Sequence, residues 1–343
     1  MTKKASGKIA WEKSLSVGID VSKATLDIVC LMPDAPLVYR QIDNEEKAIK
    51  DFVDRLVTSG YRGKIVLEST GRYHYLVCLL LCEAGQDVRL INPLVAHRWN
   101  EAKVRKTKTD PVDARQLAWL GLSDNHLPPR LEMTREQVDL RHKMGLLSSL
   151  EKQIQRMSQS LNQYQASKAR LALTMDESEL DLISTLKLLK RQKEHLSTAL
   201  DKAMTAMCVD SADVERLQHI PGFSATLCGL LLTFLRRDVK KSKAWVAFVG
   251  LDVSVKQSGK YRGQGRLTKR GNSYLRKRLY NAAWGAMMNY PEVRAYYDYL
   301  KSQGRKHAEA LIIIARKLLN IAFRLVQDGG EYQAEKAFVI QTA

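Results

Sequence analysis

Apolar and polar positions change their period twice along the 343-residue chain. Between Leu15 and about Asn125, short apolar runs alternate with helical stretches. LSVGIDV and TLDIVCL show the two-residue alternation of strands, joined by a tight turn at Ser22–Lys23–Ala24, and LVYRQI continues as a third strand. NEEKAIKDFVDRLVTSG repeats its apolar residues at helical spacing and stops at Gly60. KIVLEST reads as a strand, RYHYLVCLLLCEAG as a helix, and DVRLIN as a further strand ending at Pro93. Strands alternating with helices predict an α/β domain.

From about Thr134 to Cys208 the pattern becomes helical throughout. Leu140, Met144, Leu147, Ile154, Met157, Leu161 and Tyr164 form one stripe. Leu182, Leu186, Leu189, Leu196, Leu200, Ala203 and Met207 form a second, with Lys193 at the missing core position. No proline lies between Arg130 and Pro221, so nothing forbids long helices. Two coiled-coil helices are expected, antiparallel or shared between subunits, with packing inside one chain as the ordinary alternative. After Val214, HIPGFSATLCGLLL and KAWVAFVGLDV lead to the glycine-rich KQSGKYRGQGR, then to the helical NSYLRKRLYNAAWGAMM and HAEALIIIARKLLNIAFRLV. The expected divisions are 1–130, 131–210 and 211–343, the last mostly α-helical. IPGFSAT, at a helix start, resembles a helix-hairpin-helix turn, whose amides can hold a phosphate, although Pro-Gly also simply punctuates helices.

Charge points to a partner. Lys and Arg number 55 against 37 Asp and Glu, a net +18. That surplus favours a polyanion, nucleic acid ahead of anionic membrane. It is concentrated: Arg236 to Tyr280 holds 14 Lys/Arg and two acids, Asp238 and Asp252, with Tyr261, Tyr274 and Tyr280 interleaved for stacking. No segment approaches the roughly 20 apolar residues of a membrane span, and the first residues lack a signal-peptide pattern. The five cysteines (30, 78, 82, 208 and 228) are odd in number with no CxxC pair, and the seven histidines are scattered. A reducing cytoplasm follows, with any metal bound through oxygen.

Four acids stand out. Asp20 breaks the apolar face alternation of LSVGIDV and points to the side of Gly18. A carboxylate in an apolar strand is costly to bury unless paired or metal-bound. Glu68 ends a strand just before Gly71, where α/β sheets place ligands. Asp110 and Asp113, in TKTDPVDAR, are three apart and share one side of a helix. Each has an ordinary role available: strand-end solvation, helix capping, a surface ion pair. Together they supply oxygen donors for two Mg²⁺ ions (Mn²⁺ is an alternative) about 3.5–4 Å apart, which would clamp a scissile phosphate.

GIDVSKATLDI, LESTG and KTDPVDAR, in this order, resemble the amino-terminal RuvC-like, that is ribonuclease H-like, domain of DEDD transposases. These are insertion-sequence enzymes also called bridge recombinases, related to the Piv DNA invertases. IPGFSA, FVGLDV, QSGKYRGQGRLTKRGNSYLRKRL and the final apolar helix resemble the family's second domain. By that resemblance Asp20, Glu68, Asp110 and Asp113 match the acidic tetrad that holds Mg²⁺, and Ser258, before Gly259, matches the nucleophilic serine. Lys260, Arg262, Arg266, Lys269, Arg270, Asn272 and Arg276 form the expected nucleic-acid contacts. The chain departs from the family pattern at Asp252-Val253, where Gly-Leu-x-Pro is frequent, and at Ser224, where a second glycine is frequent.

The resemblance implies a bacterial, cytoplasmic, nucleoid-associated enzyme that cleaves and rejoins donor and target DNA. It also implies a non-coding bridge RNA and homodimers assembling to a tetramer. From the residues alone Ser258 is an ordinary turn serine, and Tyr261, Tyr274 and Tyr280 are rival nucleophiles. Two other readings stay open: a RuvC-like nuclease that hydrolyses DNA with water, and a non-catalytic nucleic-acid-binding protein.

Overall fold

The computed structural model describes residues 11–33, 37–93, 96, 110–123, 127–208, 212–235, 239–254, 257–258, 261–262 and 265–339. The chain divides into two compact units, Met1–Asp139 and Leu140–Ala343.

The first unit is a mixed sheet with helices. Its elements are β1 (Ser16–Val21), β2 (Thr25–Leu31), β3 (Val38–Asp43), α1 (Glu46–Thr58), β4 (Lys64–Glu68), α2 (Tyr75–Glu83), β5 (Asp87–Ile91) and α3 (Asp110–Leu120). The sheet order is β3-β2-β1-β4-β5. The short turns make β1–β2 and β2–β3 antiparallel, while β4 and β5 join in parallel, with α2 as the crossover between them. All five strands and both helices expected between Leu15 and Pro93 are present. Helix α1 stops as its sequence predicts, with Gly60 left-handed at φ +70.

Alternation along each strand decides what covers each face. Val17, Ile19, Leu26, Ile28, Ile65 and Leu67 turn to one side and pack with Ile49, Phe52 and Leu56 of α1 and Val77 and Leu81 of α2. Val29 and Leu31 turn to the other side, against Ala114 and Ala118 of α3, and Val66 and Ile91 meet Leu117 and Leu120 there. Gly18 is where α3 comes closest. A Cβ at this position would lie 2.1 Å from the Ala114 carbonyl oxygen and 2.3 Å from the Ala118 amide nitrogen. Both are backbone atoms of one helix, so relief requires moving α3. Gly18→Ala should therefore cost about 2–3 kcal/mol, as overpacking does, read as a lower urea midpoint for the first unit.

The second unit is mostly helical. The long α4 (Arg135–Arg170), which starts just before the division, and α5 (Glu177–Cys208) form a hairpin. At its tip Asp176 accepts from the Glu179 amide at 3.0 Å while the Glu179 carboxylate accepts from the Asp176 amide at 2.7 Å, a reciprocal cap. Lys168 donates to the same carboxylate at 2.6 Å. The stripes read from the sequence pack largely inside the chain: Ile154 and Leu161 against Leu186, and Leu140, Met144 and Leu147 in a larger core with Leu200 and Met204. Leu182 and Met207, the ends of the second stripe, are exposed.

That larger core is completed by α6 (Ala212–Gln218), α7 (Ala225–Phe234), α8 (Lys243–Val249), α9 (Ser273–Asn289), α10 (Pro291–Ser302) and α11 (His307–Asp328), followed by the short α12 (Ala334–Ala337). Between α8 and α9 lie four two-residue strands: β6 (Val253–Ser254), β7 (Gln257–Ser258), β8 (Tyr261–Arg262) and β9 (Arg266–Leu267). Among the described residues, no helix is long and apolar enough to cross a membrane.

Candidate active site

Helix α3 runs antiparallel to β1, and two close approaches fix this. Gly18 faces Ala114 and Ala118, whereas a Cβ on Gly121 would meet the Ser16 hydroxyl at 1.9 Å. The first turn of α3 thus extends past Gly18 toward the carboxyl end of β1. From Gly18 to Asp20 the strand advances about 7 Å. From the middle of the Ala114–Ala118 contact, Asp113 lies about 5 Å along the helix and Asp110 about 9 Å. Asp20 is therefore level with the first turn of α3. Glu68 joins it because Ile19 pairs in parallel with Leu67, so the next residues, Asp20 and Glu68, leave the sheet side by side on the α3 face.

Asp20, Glu68 and Asp113 are half-buried. Asp20 accepts a hydrogen bond from the Val21 amide at 3.0 Å. The side chain of Asp110 lies outside the described residues. The donors are all carboxylate oxygens, which suits a hard divalent cation, and the helix N-terminus helps keep the α3 acids ionised. Among the described residues, no three Asp, Glu, His or Cys side chains are gathered as closely as a closed metal cage. Three acids are thus aligned on one edge without being collapsed onto one point.

The strand pairing adds an acid that the sequence reading missed. Asp27 stands opposite Asp20 in the β1–β2 register and is 2% exposed. Its carboxylate accepts from the Gln41 amide at 3.1 Å and from the Tyr39 hydroxyl. The signal was available: a turn at Ser22–Ala24 pairs residue 20 with residue 27. The rim of this edge is also tied down. Thr70 donates to the Val21 carbonyl at 3.1 Å, and Asn44 bridges the Ser22 and Tyr73 carbonyls at 2.9 and 3.1 Å. Lys23, Arg72 and Tyr73 are exposed on it, two cations and a ring beside the carboxylates.

In the second unit, Ser258 sits in a nested hairpin. Val253 pairs with Leu267 and Ser254 with Arg266, while Gln257 pairs with Arg262 and Ser258 with Tyr261. Lys260 and the side chains of Ser258, Tyr261, Arg262 and Arg266 lie outside the described residues. The hairpin base is closed by Asp252, whose carboxylate accepts from the Thr268 hydroxyl and whose carbonyl accepts from the Thr268 amide at 3.0 Å. Asp252 thus has a local task here, and its neighbour Val253 is strand-paired.

The expected nucleic-acid contacts divide into two kinds. Lys269, with φ +53, and Arg270 are exposed ahead of α9. Asn272 is the N-cap of α9, its side chain accepting from the amides of Tyr274 and Leu275 at 3.0 and 3.1 Å. Arg276 donates to the Val249 carbonyl at 2.8 Å, anchoring α9 to the end of α8. Ser224, where the family pattern has glycine, caps α7 by accepting from the Leu227 amide at 3.3 Å. The preceding Gly222, at φ +77, packs against α9, where a Cβ would meet the Ala282 carbonyl at 2.2 Å.

Of the tyrosines that rival Ser258, Tyr274 is 6% exposed and accepts from Arg278 at 2.8 Å. Burial pushes its hydroxyl up despite Arg278, the reverse of an activated nucleophile. Tyr280 packs half-buried against the core. The described thiols are poorly disposed to react as well: burial pushes Cys30 up to about 12 and Cys82 up to about 11.

A transposase family model matches residues 17–166, and the model of the IS116/IS110/IS902 transposase family matches residues 214–298. The 43.6 kDa protein of insertion element IS110 from Streptomyces coelicolor is 23% identical over 172 residues. That match covers 50% of this chain and 42% of the Streptomyces protein, less than half its length. The pilin gene-inverting protein of Moraxella bovis is 22% identical over 91% of this chain and 95% of its own. The 42 kDa protein of insertion element IS900 from Mycobacterium paratuberculosis is 21% identical over 92% and 96%. The acidic edge falls inside the first matched segment and the serine hairpin inside the second, in the order the family has them; the chain belongs to the IS110 family of transposases.

Proposed function

We propose that this chain is a DNA transposase and site-specific recombinase that cuts DNA with Ser258 and holds its divalent cations with Asp20, Glu68, Asp110 and Asp113. The observation that carries the reading is the course of α3, antiparallel to β1 over Gly18, which aligns Asp113 with Asp20 and Glu68 at one end of the sheet. An order of β3-β2-β1-β4-β5 with an antiparallel first half supports a ribonuclease H-like domain. Mg²⁺ or Mn²⁺, when bound, lowers the barrier to attack at phosphorus by stabilising the attacking and leaving oxygens.

The chain's own residues do the rest. The Ser258 hydroxyl attacks a phosphodiester, a DNA hydroxyl leaves, and the bond is kept as a phosphoserine ester. A hydroxyl from the second DNA then attacks that ester and restores the serine, so joining needs no external energy source. Lys269 and Arg270 supply exposed positive charge beside the hairpin for the phosphates. Sequence choice is delegated to a bridge RNA paired with donor and target, which suits basic loops that grip backbones. Assembly is a homodimer joining into a tetramer on the two DNAs.

The test is to incubate the full chain, its copurifying RNA and labelled donor and target DNA with Mg²⁺, then quench in denaturant. A covalent protein–DNA adduct and a recombinant product are expected, both lost with EDTA. Cleaved DNA without an adduct under any trapping condition would favour the hydrolytic nuclease. Inertness on every substrate, with or without metal, would favour a binding protein. Sequencing the copurifying RNA tests the guide: a discrete non-coding species is expected, and a random mixture removes this part of the reading.

A further inference from the structure

Asp27 has a position that the proposed chemistry does not yet use. It lies directly opposite Asp20 in an antiparallel pair, and residues opposed in this way turn to the same face, with Cβ atoms about 5 Å apart. At 2% exposure it is the most deeply buried acid among the described residues. Its two donors, the Tyr39 hydroxyl and the Gln41 amide, come from β3 on the same face, and neither carries charge. Like charges directly opposite one another destabilise a strand pair, and a buried carboxylate costs free energy that neutral donors offset only in part. The arrangement makes physical sense when positive charge is added to this face.

We infer that Asp27 is a positioning residue for a divalent cation bound at Asp20. Its carboxylate, fixed by Tyr39 and Gln41, lies behind the ligand set. It strengthens binding through the negative field that it adds beside Asp20 and by limiting where the Asp20 carboxylate can turn. Groups that support metal ligands from behind commonly tune affinity by 10–100-fold. This inference rests on the reading of the acidic edge as a cation site. A purely structural Asp27, holding β3 to β2, would affect stability and leave cation affinity alone.

The experiment is Mn²⁺ binding to the full chain without DNA, followed by the electron paramagnetic resonance of unbound Mn²⁺, with melting curves in EDTA alongside. Asp27→Asn keeps the shape and an oxygen acceptor for Tyr39 and Gln41 but removes the charge. It should bind Mn²⁺ about tenfold more weakly, while its melting temperature in EDTA is not lowered. Asp20→Asn should lose the site. If Asp20→Asn weakens Mn²⁺ binding and Asp27→Asn does not, the inference is wrong and the cation site stands. If the unaltered chain binds no Mn²⁺, or Asp20→Asn binds it equally well, both fall. Should Asp27→Asn fail to fold, Tyr39→Phe carries the test: it leaves the charge and removes an orienting donor, and about threefold weaker binding is expected. Unchanged affinity there would overturn the role.

Discussion

Ser258→Ala should bind donor and target DNA as tightly as the unaltered chain, yet form no covalent protein–DNA adduct and no recombinant. The effect expected on strand cleavage is a loss of about a thousandfold or more, since removing a nucleophile removes the step itself. Binding should survive because the exposed cations near the hairpin, Lys269 and Arg270, are unchanged and phosphate contacts dominate affinity. Ser258 is held in a strand pair opposite Tyr261, so alanine leaves the backbone pairing intact. The tyrosine rivals provide the counter-outcome. Peptide mapping of the trapped adduct by mass spectrometry should place DNA on Ser258; an adduct on Tyr261, or normal recombination by Ser258→Ala, would remove the serine mechanism. Tyr274 is already a poor rival, since burial pushes its hydroxyl up.

The first unit was legible in the sequence because its signals are local. GIDV and TLDIV alternate with a period of two, the turn between them is short, and α1 ends on a glycine whose φ is positive. Those facts set the register, and register alone places Asp20 beside Asp27. Which way α3 would run was not legible. That depends on Gly18 and Gly121 letting a helix lie directly on β1, a contact between residues about a hundred positions apart that no periodicity encodes. The basic loop shows the opposite failure. Composition marked Asn272 and Arg276 as nucleic-acid contacts, because Asn and Arg suit that role, yet the oxygen of one caps a helix and the guanidinium of the other reaches the Val249 carbonyl. Charge density is visible in a sequence, whereas the local hydrogen bond that engages a given side chain is not. The stripes of α4 and α5 lie between these cases. Their spacing predicted burial correctly, but a stripe cannot say whether its partner is the next helix or another chain, and here Ile154 and Leu161 meet Leu186 of the same chain.

The acids at the start of α3 give the second large effect. Asp110 begins that helix and Asp113 follows one turn later, so helix capping and cation binding both account for acids there. The two roles respond differently to an amide. Asparagine caps about as well as aspartate, so Asp110→Asn should leave the metal-free melting temperature within about 2 °C of the unaltered chain. It removes the charge that a hard cation needs, so cleavage and adduct formation should fall by about a thousandfold, as they should in Asp20→Asn and Glu68→Gln. Metal linkage gives an independent reading. A cation at a hundred times its dissociation constant stabilises the fold by about 2.7 kcal/mol, roughly 5–10 °C for a unit of this size. The unaltered chain should show that rise when Mn²⁺ replaces EDTA, and the three variants should lose most of it. If Asp110→Asn retains cleavage, or loses it only together with the fold in EDTA, then Asp110 is a cap and the cations belong to other residues.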